Sequence, residues 1–428
     1  MRGASGVSGV SGVSGVSGLG RSRNVGGAVC AGVVALVIGS SVGDVLALPG
    51  GWDGFARSSV AWTWNPDFGT QLVADAAATA AGTARVMGKG EWGDHVFWEL
   101  HGVQTLAGRT ESSGLMSMGR GDPEQWRTAA ADWRWSSPHQ AQAHLLADRA
   151  SLSLRAERVT IQVGRQPISL ATCFFFTPND FFAPFAADAF FRLYKPGVDA
   201  ARAEVQIGMV SRVTALAVVG YERSEGAAWD DRPALDESAA LVQGIGGWFG
   251  FEWAALAGRI PHFWVAGGSF QGEILDGELG VRFEGHHARP ADDKAQLGAR
   301  TEAALSLEHG VTPELQLIAE AFYHGAGATK PADYLAAGAS GTAGNYLGRW
   351  YAALAANWQA TPLTSVQVVA IGNLVDPSGM VASYVTWNLA DETDASFGLA
   401  WPFGASSKLE GLSFDVGSEY GLAPRMVS

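Results

Sequence analysis

The chain has 428 residues, of which 56 are Gly, 16 Trp and 20 Phe, while only 17% are charged. Past residue 48 no window holds 18 consecutive apolar residues, which excludes a bundle of transmembrane helices. The formal net charge is −13; the first 47 residues hold three Arg and one Asp, so residues 48–428 carry −15, which disfavours nucleic acid as a partner.

Residues 5–18 repeat Ser-Gly-Val and are low-complexity. Arg21 and Arg23 then precede the apolar run Val25 to Ile38, and Val45-Leu46-Ala47 offers a small-residue exit. A charged start, an apolar stretch and such an exit make a secretory signal peptide. The expected organisation is therefore a low-complexity start with signal peptide over 1–47 and one domain over 48–428. Cys30 lies in the leader, which leaves Cys173 alone in the domain. A disulfide within the domain is excluded, as is a Cys-pair zinc or redox site.

From residue 48 on, stretches of about ten residues alternate in polarity and end in turns, the pattern of strands with one apolar and one wet face. Residues 143–156 place Leu152 and Leu154 on one face and Arg149, Ser151, Ser153 and Arg155 on the other. Residues 158–166 set Val159, Ile161 and Val163 against Thr160 and Gln162. Phe174, Phe175, Phe176, Phe181, Phe182 and Phe185 follow; they are expected in an aromatic girdle at the outer rim, or packing a loop onto the wall.

The alternation is clearest at 275–286, where Leu279, Val281 and Phe283 oppose Glu278, Arg282, Glu284 and His286. It recurs at 297–308, with Leu297, Ala299, Leu305 and Leu307 against Arg300, Glu302, Ser306 and Glu308. In 314–323, Leu315, Leu317, Ala319 and Tyr323 oppose Glu314, Gln316 and Glu320. Further on, Trp350, Leu354 and Trp358 oppose Arg349, Tyr351 and Asn357, and Val381, Val385 and Trp387 oppose Tyr384, Thr386 and Asn388.

Tight connections near 157, 209–210, 249–250, 272–274, 310–311, 360–362 and 390–393 largely alternate with long ones near 107–142, 167–197, 223–238, 287–295 and 325–345. The fold class that follows is all-β: a transmembrane antiparallel up-and-down barrel of about 18 strands (16–18), counted from residue 55 to about 417. The stretch 262–271 reads as a weak strand and 66–94 is Ala-rich and blurred. A soluble sandwich would bury Arg282, Glu284, Arg300, Glu302 and Glu320 in a dry core at high cost, whereas a water-filled lumen accepts them.

Several of these residues also carry a family resemblance. Gly164-Arg165-Gln166 at a strand end, Pro178-Asn179-Asp180 with the following phenylalanines, and Lys195-Pro196-Gly197-Val198-Asp199 resemble a group of bacterial outer-membrane porin-like proteins, loosely similar to alginate-export barrels. The run Asn373 to Gly379 and Ser418-Glu419-Tyr420-Gly421 resemble the same group. Such barrels end on an aromatic residue of a closing strand; this sequence ends Ala423-Pro424-Arg425-Met426-Val427-Ser428. Either 408–417 is the last strand with an atypical tail, or the closing strand is missing.

The function expected is that of a porin in the outer membrane of a Gram-negative bacterium, passing ions or small hydrophilic solutes; the alternatives are an export channel for an acidic polysaccharide, and a plugged structural barrel. Parity assigns Arg149, Arg155, Arg202, Glu204, Arg282, Glu284, Arg300, Glu302, Glu320 and Arg349 to the pore lining. Arg165 falls in the lipid-facing row, so it is expected at the rim or turned by a bulge, against Asp180 or Asp199. Asn179 and Asp180 are read as turn caps, Asp376 as part of an ordinary turn, and His286-His287 near Asp292-Asp293 as solvated loop residues rather than a metal site. The chain shows no phosphate loop and no nucleophile elbow, so neither enzymatic activity nor a cofactor is expected. Its partners would be outer-membrane lipid, the barrel-assembly machinery and the solute; a homo-oligomer is compatible with the chain.

Overall fold

The computed structural model describes residues 39–42, 52–64, 76–109, 123–136, 141–185, 194–223, 229–291, 298–334, 336, 346–404, 408–410, 413–415, 419 and 425–427. Its strands are β1 (Gly39–Val42), β2 (Trp52–Trp64), β3 (Ala76–Trp92), β4 (Val96–Arg109), β5 (Asp132–Ser136), β6 (Ala141–Ala156), β7 (Val159–Pro167), β8 (Gly197–Gln206), β9 (Arg212–Arg223), β10 (Trp229–Trp248) and β11 (Phe251–Ile260). They continue as β12 (Phe263–Ile274), β13 (Leu279–Pro290), β14 (Arg300–Thr312), β15 (Leu315–His324), β16 (Trp350–Thr361), β17 (Thr364–Asn373), β18 (Ser378–Ala390), β19 (Thr393–Phe403), β20 (Lys408–Glu410), β21 (Ser413–Asp415) and β22 (Arg425–Val427).

One antiparallel up-and-down sheet of 18 strand positions closes on itself. Long strands fill all but one position. The last, between β19 and β2, holds two short pieces: β22 pairs with Leu399 and Ala400 of β19, and β1 with Thr393 to Ser396. Both also pair with β2. The expected last strand at 408–417 is instead a separate hairpin of β20 and β21. The seam is filled by Arg425–Val427 and by Gly39–Val42, and the latter lies within the segment expected as leader. The stretches that read as weak or blurred are full strands: β12 pairs along its whole length with β11 and β13, and β3 with β2 and β4.

Period-2 alternation sets the two faces. Leu152, Leu154, Val163, Trp264, Leu305, Leu317, Leu354 and Val381 stand exposed on the outside. Exposed Trp cluster near the strand ends: Trp92, Trp248, Trp253 and Trp358 toward the short-turn rim, Trp264 and Trp350 toward the other. These outward aromatics are mostly Trp, with Phe249 and Phe403, and the phenylalanines of 174–182 lie elsewhere. They are inside the barrel, where Phe176 and Phe182 are fully buried against the inner wall.

Two local devices shape the wall around β6 and β7. A register shift opposite His101 and Gly102 leaves Asp148 as an extra residue, so that Asp148 and Arg149 bond to groups on the inner side. Gly164 has φ +113°, and a Cβ there would run into the Ala150 carbonyl. Only glycine takes that conformation without strain, so Gly164→Ala should lower stability by about 1–3 kcal/mol. Gly102→Ala, where nothing lies within 4 Å, should stay within about 0.5 kcal/mol of the parent. Urea unfolding followed by tryptophan fluorescence compares the two.

Candidate pore constriction

The connection between β7 and β8 turns into the barrel, and its path follows from hydrogen bonding. Five successive backbone N–H groups, Thr172 to Phe176, point at two carboxylates of the inner wall. Glu284 on β13 accepts from Thr172 and Cys173, and from Asn179 at 3.0 Å. Glu320 on β15 accepts from Phe174 at 2.9 Å, from Phe175 at 3.1 Å, from Phe176 and from the Ser306 hydroxyl. Consecutive amides aimed one way form an anion nest. Each such bond to a charged acceptor contributes about 1.5–3 kcal/mol, the scale needed to offset burial of the two carboxylates.

Packing completes the anchorage. Phe176 stacks on Phe322 at 4.9 Å and meets Tyr346 and Tyr351 at 5.6 and 5.9 Å. Phe182 sits edge-on to Trp126 at 5.2 Å, in a cluster with Val198, Leu216, Val218, Leu241, Leu256 and Phe263. Trp126 belongs to the connection between β4 and β6, so two long connections cover the inner wall. Asn179 donates its side-chain amide to the Gly268 carbonyl at 3.1 Å, and Asp180 forms a buried ion pair with Lys195. Asn179 therefore fastens the loop to the wall, and Asp180 ties two parts of the same loop together.

The return of the loop is fixed as firmly. Asp148 takes Arg85 at 2.8 Å and Arg127 at 2.7 Å, and Arg127 also donates to the Gly197 carbonyl at 2.6 Å. A Cβ at Gly197 would strike the Asp148 carbonyl. Arg85 lies over the Tyr194 ring at 4.4 Å, which stacks on Phe55 at 5.2 Å. Arg165 is buried where β7 ends: it grips Asp199, in register across β8, at 2.7 and 3.1 Å, and donates to the carbonyls of Ala147 and Thr128. Asp199 also accepts from Tyr221 at 3.0 Å. Gln166 is buried and donates to the Ala200 carbonyl at 3.1 Å; Pro178 is buried and Pro196 half-buried.

The residues assigned to the pore lining divide into distinct environments. Glu284 and Glu320 face inward but are buried under the loop, which corrects their assignment to an open lining. Glu302 pairs with His324 at 3.3 Å and with Arg300 at 3.8 Å, and Arg300 lies over Phe263. Arg349 donates to the Gly327 carbonyl at 3.0 Å, in the connection between β15 and β16. Arg149 pairs with Glu99 at 2.9 Å, and Arg202 with Glu204. Arg155 is exposed and lies over the Phe97 ring at 4.2 Å. A cleft of ≈ 950 Å³ opens along this part of the inner face, between Lys89, Phe97, Arg155, Gln162, Arg202 and Glu204. His286 is buried against Phe181 at 5.0 Å, not solvated; Asp292 and Asp293 lie outside the described residues. Among the described residues no group of three or more His, Cys, Asp or Glu could hold a metal ion.

One pleat below the anchors runs a hydrogen-bonded row, of which alternation placed Arg282, Glu308, Gln316 and Asn357 inside without connecting them. Gln271 donates to Glu252 at 2.9 Å, and Arg282 to Gln271 at 3.3 Å and to Glu308 at 3.1 Å. Gln316 donates to Glu308 at 2.8 Å, Asn357 to Gln316 at 3.1 Å, and Gln367 to Asn357 at 2.7 Å. The row crosses β11 to β17. The loop rests on its edge: Arg282 lies under the Phe174 ring at 4.3 Å.

At the long-loop mouth a third carboxylate repeats the anchoring scheme. Glu419 accepts from the Leu347 amide at 3.0 Å, Tyr351 at 2.5 Å and Asn373 at 2.6 Å. Asp376 accepts from Tyr334 at 2.9 Å and from the Glu419 amide at 2.7 Å. Asp376 thus does more than close its turn with Ser378.

No protein-family model matches the chain, and no curated protein matches it. Solved structures do. Acinetobacter baumannii OccAB4 superposes with a TM-score of 0.51 at 9% identity, over 88% of this chain and 96% of that one, which shows the same barrel fold. Variants of the Rh. blastica porin align over 86% of this chain and 99% of theirs, at 11% identity and TM-scores of 0.39 and 0.41.

Burial and the neighbouring carboxylates push the Cys173 thiol up from its ordinary range, so it stays protonated and unreactive. It is a built-in reporter of the latch. In a Cys30→Ser background, Glu320→Ala or Glu284→Ala should speed maleimide labelling of Cys173 by about tenfold or more as the loop loses bonds. Heat-modifiable gel migration checks that the barrel itself survives.

Proposed function

We propose that the chain is an outer-membrane channel for passive diffusion of small hydrophilic solutes, narrowed by the β7–β8 loop. The observation that carries the reading is the loop latched inside a closed 18-position barrel while polar inner-wall residues remain wet beside and below it. The apolar exterior with Trp near both strand ends fits a bilayer, and β1 and β22 bridge part of the β2 and β19 edges that would otherwise face lipid. Porins select by the groups that line their narrowest section. Export of an acidic polymer would need a run of unpaired basic groups; here Arg149, Arg202, Arg282 and Arg300 each face a carboxylate. The reading includes no catalytic step.

Three measurements test it. Refolded protein in a planar bilayer should give a stable ohmic KCl conductance; a correctly folded barrel with none would refute the channel. For the bilayer face, Leu305→Arg on the exterior should cost about 2–4 kcal/mol in lipid vesicles. Gln243→Arg on the inner face should leave urea stability nearly unchanged and shift the reversal potential in a salt gradient toward anions.

A further inference from the structure

The row below the loop has a chemistry of its own. Gln316, Asn357 and Gln367 lie in register on β15, β16 and β17, and the next register partner is Tyr384 on β18. Gln316 and Asn357 each spend one donor and one acceptor within the row and Gln367 one donor, and each carboxamide retains a further N–H and a further carbonyl lone pair. The Tyr384 ring lies across Gly398 of β19, where any Cβ would collide with it. A glycine at that place lets an aromatic ring lie flat on the wall. All four side chains are half-buried, whereas Ile318, Ala355, Val369 and Ala382, two residues along each strand, are buried. The row is therefore the first wet layer under the loop.

We infer that this row is a binding track for neutral saccharides or polyols. The inference rests on the channel reading above and names its solute class. Fixed planar amides offer paired donors and acceptors at the spacing of neighbouring hydroxyls, and a flat aromatic ring accepts the C–H face of a pyranose. Along the amide stretch from β13 to β17 charge is cancelled, because Arg282 and Glu308 pair at 3.1 Å, so that stretch presents hydrogen bonds rather than a field. An anionic solute would find no unpaired cationic group there and would lose hydration.

The probe is maltotriose added to the bath of a single open channel in KCl, with gluconate as the charged control. Maltotriose should interrupt the current in a concentration-dependent manner and gluconate should not. Tyr384→Leu should weaken the block about tenfold relative to that variant's own open current. Tyr384→Phe, which keeps the ring, should restore most of it. If Tyr384→Leu does not fold, Asn357→Leu combined with Gln367→Leu tests the same track from the neighbouring strands and should weaken the block likewise. A conducting channel that maltotriose leaves untouched, block by gluconate equal to that by maltotriose, or block indifferent to these substitutions overturns the inference. A folded barrel without KCl current overturns the channel reading itself, a separate failure.

Discussion

The structure depends on one exchange of hydrogen bonds. Two carboxylates on the inner wall are removed from water, and five consecutive backbone amides of a loop are removed with them. Neither group is tolerable alone: a buried charge without partners costs several kcal/mol, and so does a run of unpaired amides. Together they satisfy each other. Everything else about the loop follows from that placement. The phenylalanines between the anchors have only the inner wall to pack on, and Cys173 is sealed beneath them.

The latch also divides the inner wall by height. On β15, β16 and β17, Ile318, Ala355 and Val369 lie under the loop, while Gln316, Asn357 and Gln367, two residues away on the same face, carry amides. On β13 the same step leads from Glu284, consumed by the loop, to Arg282, engaged with Glu308 and Gln271. A barrel interior is polar where water reaches it and apolar where protein does. The change from one to the other within a single strand marks the underside of the constriction.

This explains which parts of the sequence were legible. Period-2 alternation depends only on neighbours along one strand, so it located the strands, the two faces and the inward direction of Arg282, Glu302 and Glu320. What each inward charge does depends on groups far away in the chain: Phe174 to Glu320 spans 146 residues and Thr172 to Glu284 spans 112. No local pattern separates Glu284 from Arg282. Asp148 was hidden for another reason, since its register shift breaks the alternation that reveals its neighbours. Closure was illegible too, because three-residue β22 and four-residue β1 are too short to show a period. The stretches noted for their resemblance fared differently. Gly164, Asn179, Asp180, Gly197 and Asp199 meet around the loop, and Asn373, Asp376 and Glu419 meet at the mouth.

The mouth repeats the physics of the constriction with different parts. Glu419 returns from beyond β19 to take the Leu347 amide together with Tyr351 and Asn373, and Tyr351 in turn borders Phe176. Glu284, Glu320 and Glu419 thus each close on backbone amides, and the Glu320 anchor shares an aromatic cluster with the Glu419 one. Anchors joined in this way resist independent opening, because releasing the outer segment exposes the ring that holds the inner one. The acidic groups spent here are not free to attract counter-ions. On the channel reading proposed above, the large negative charge of the chain is therefore a poor guide to selection, and the amide-rich layer beneath the loop is the better one.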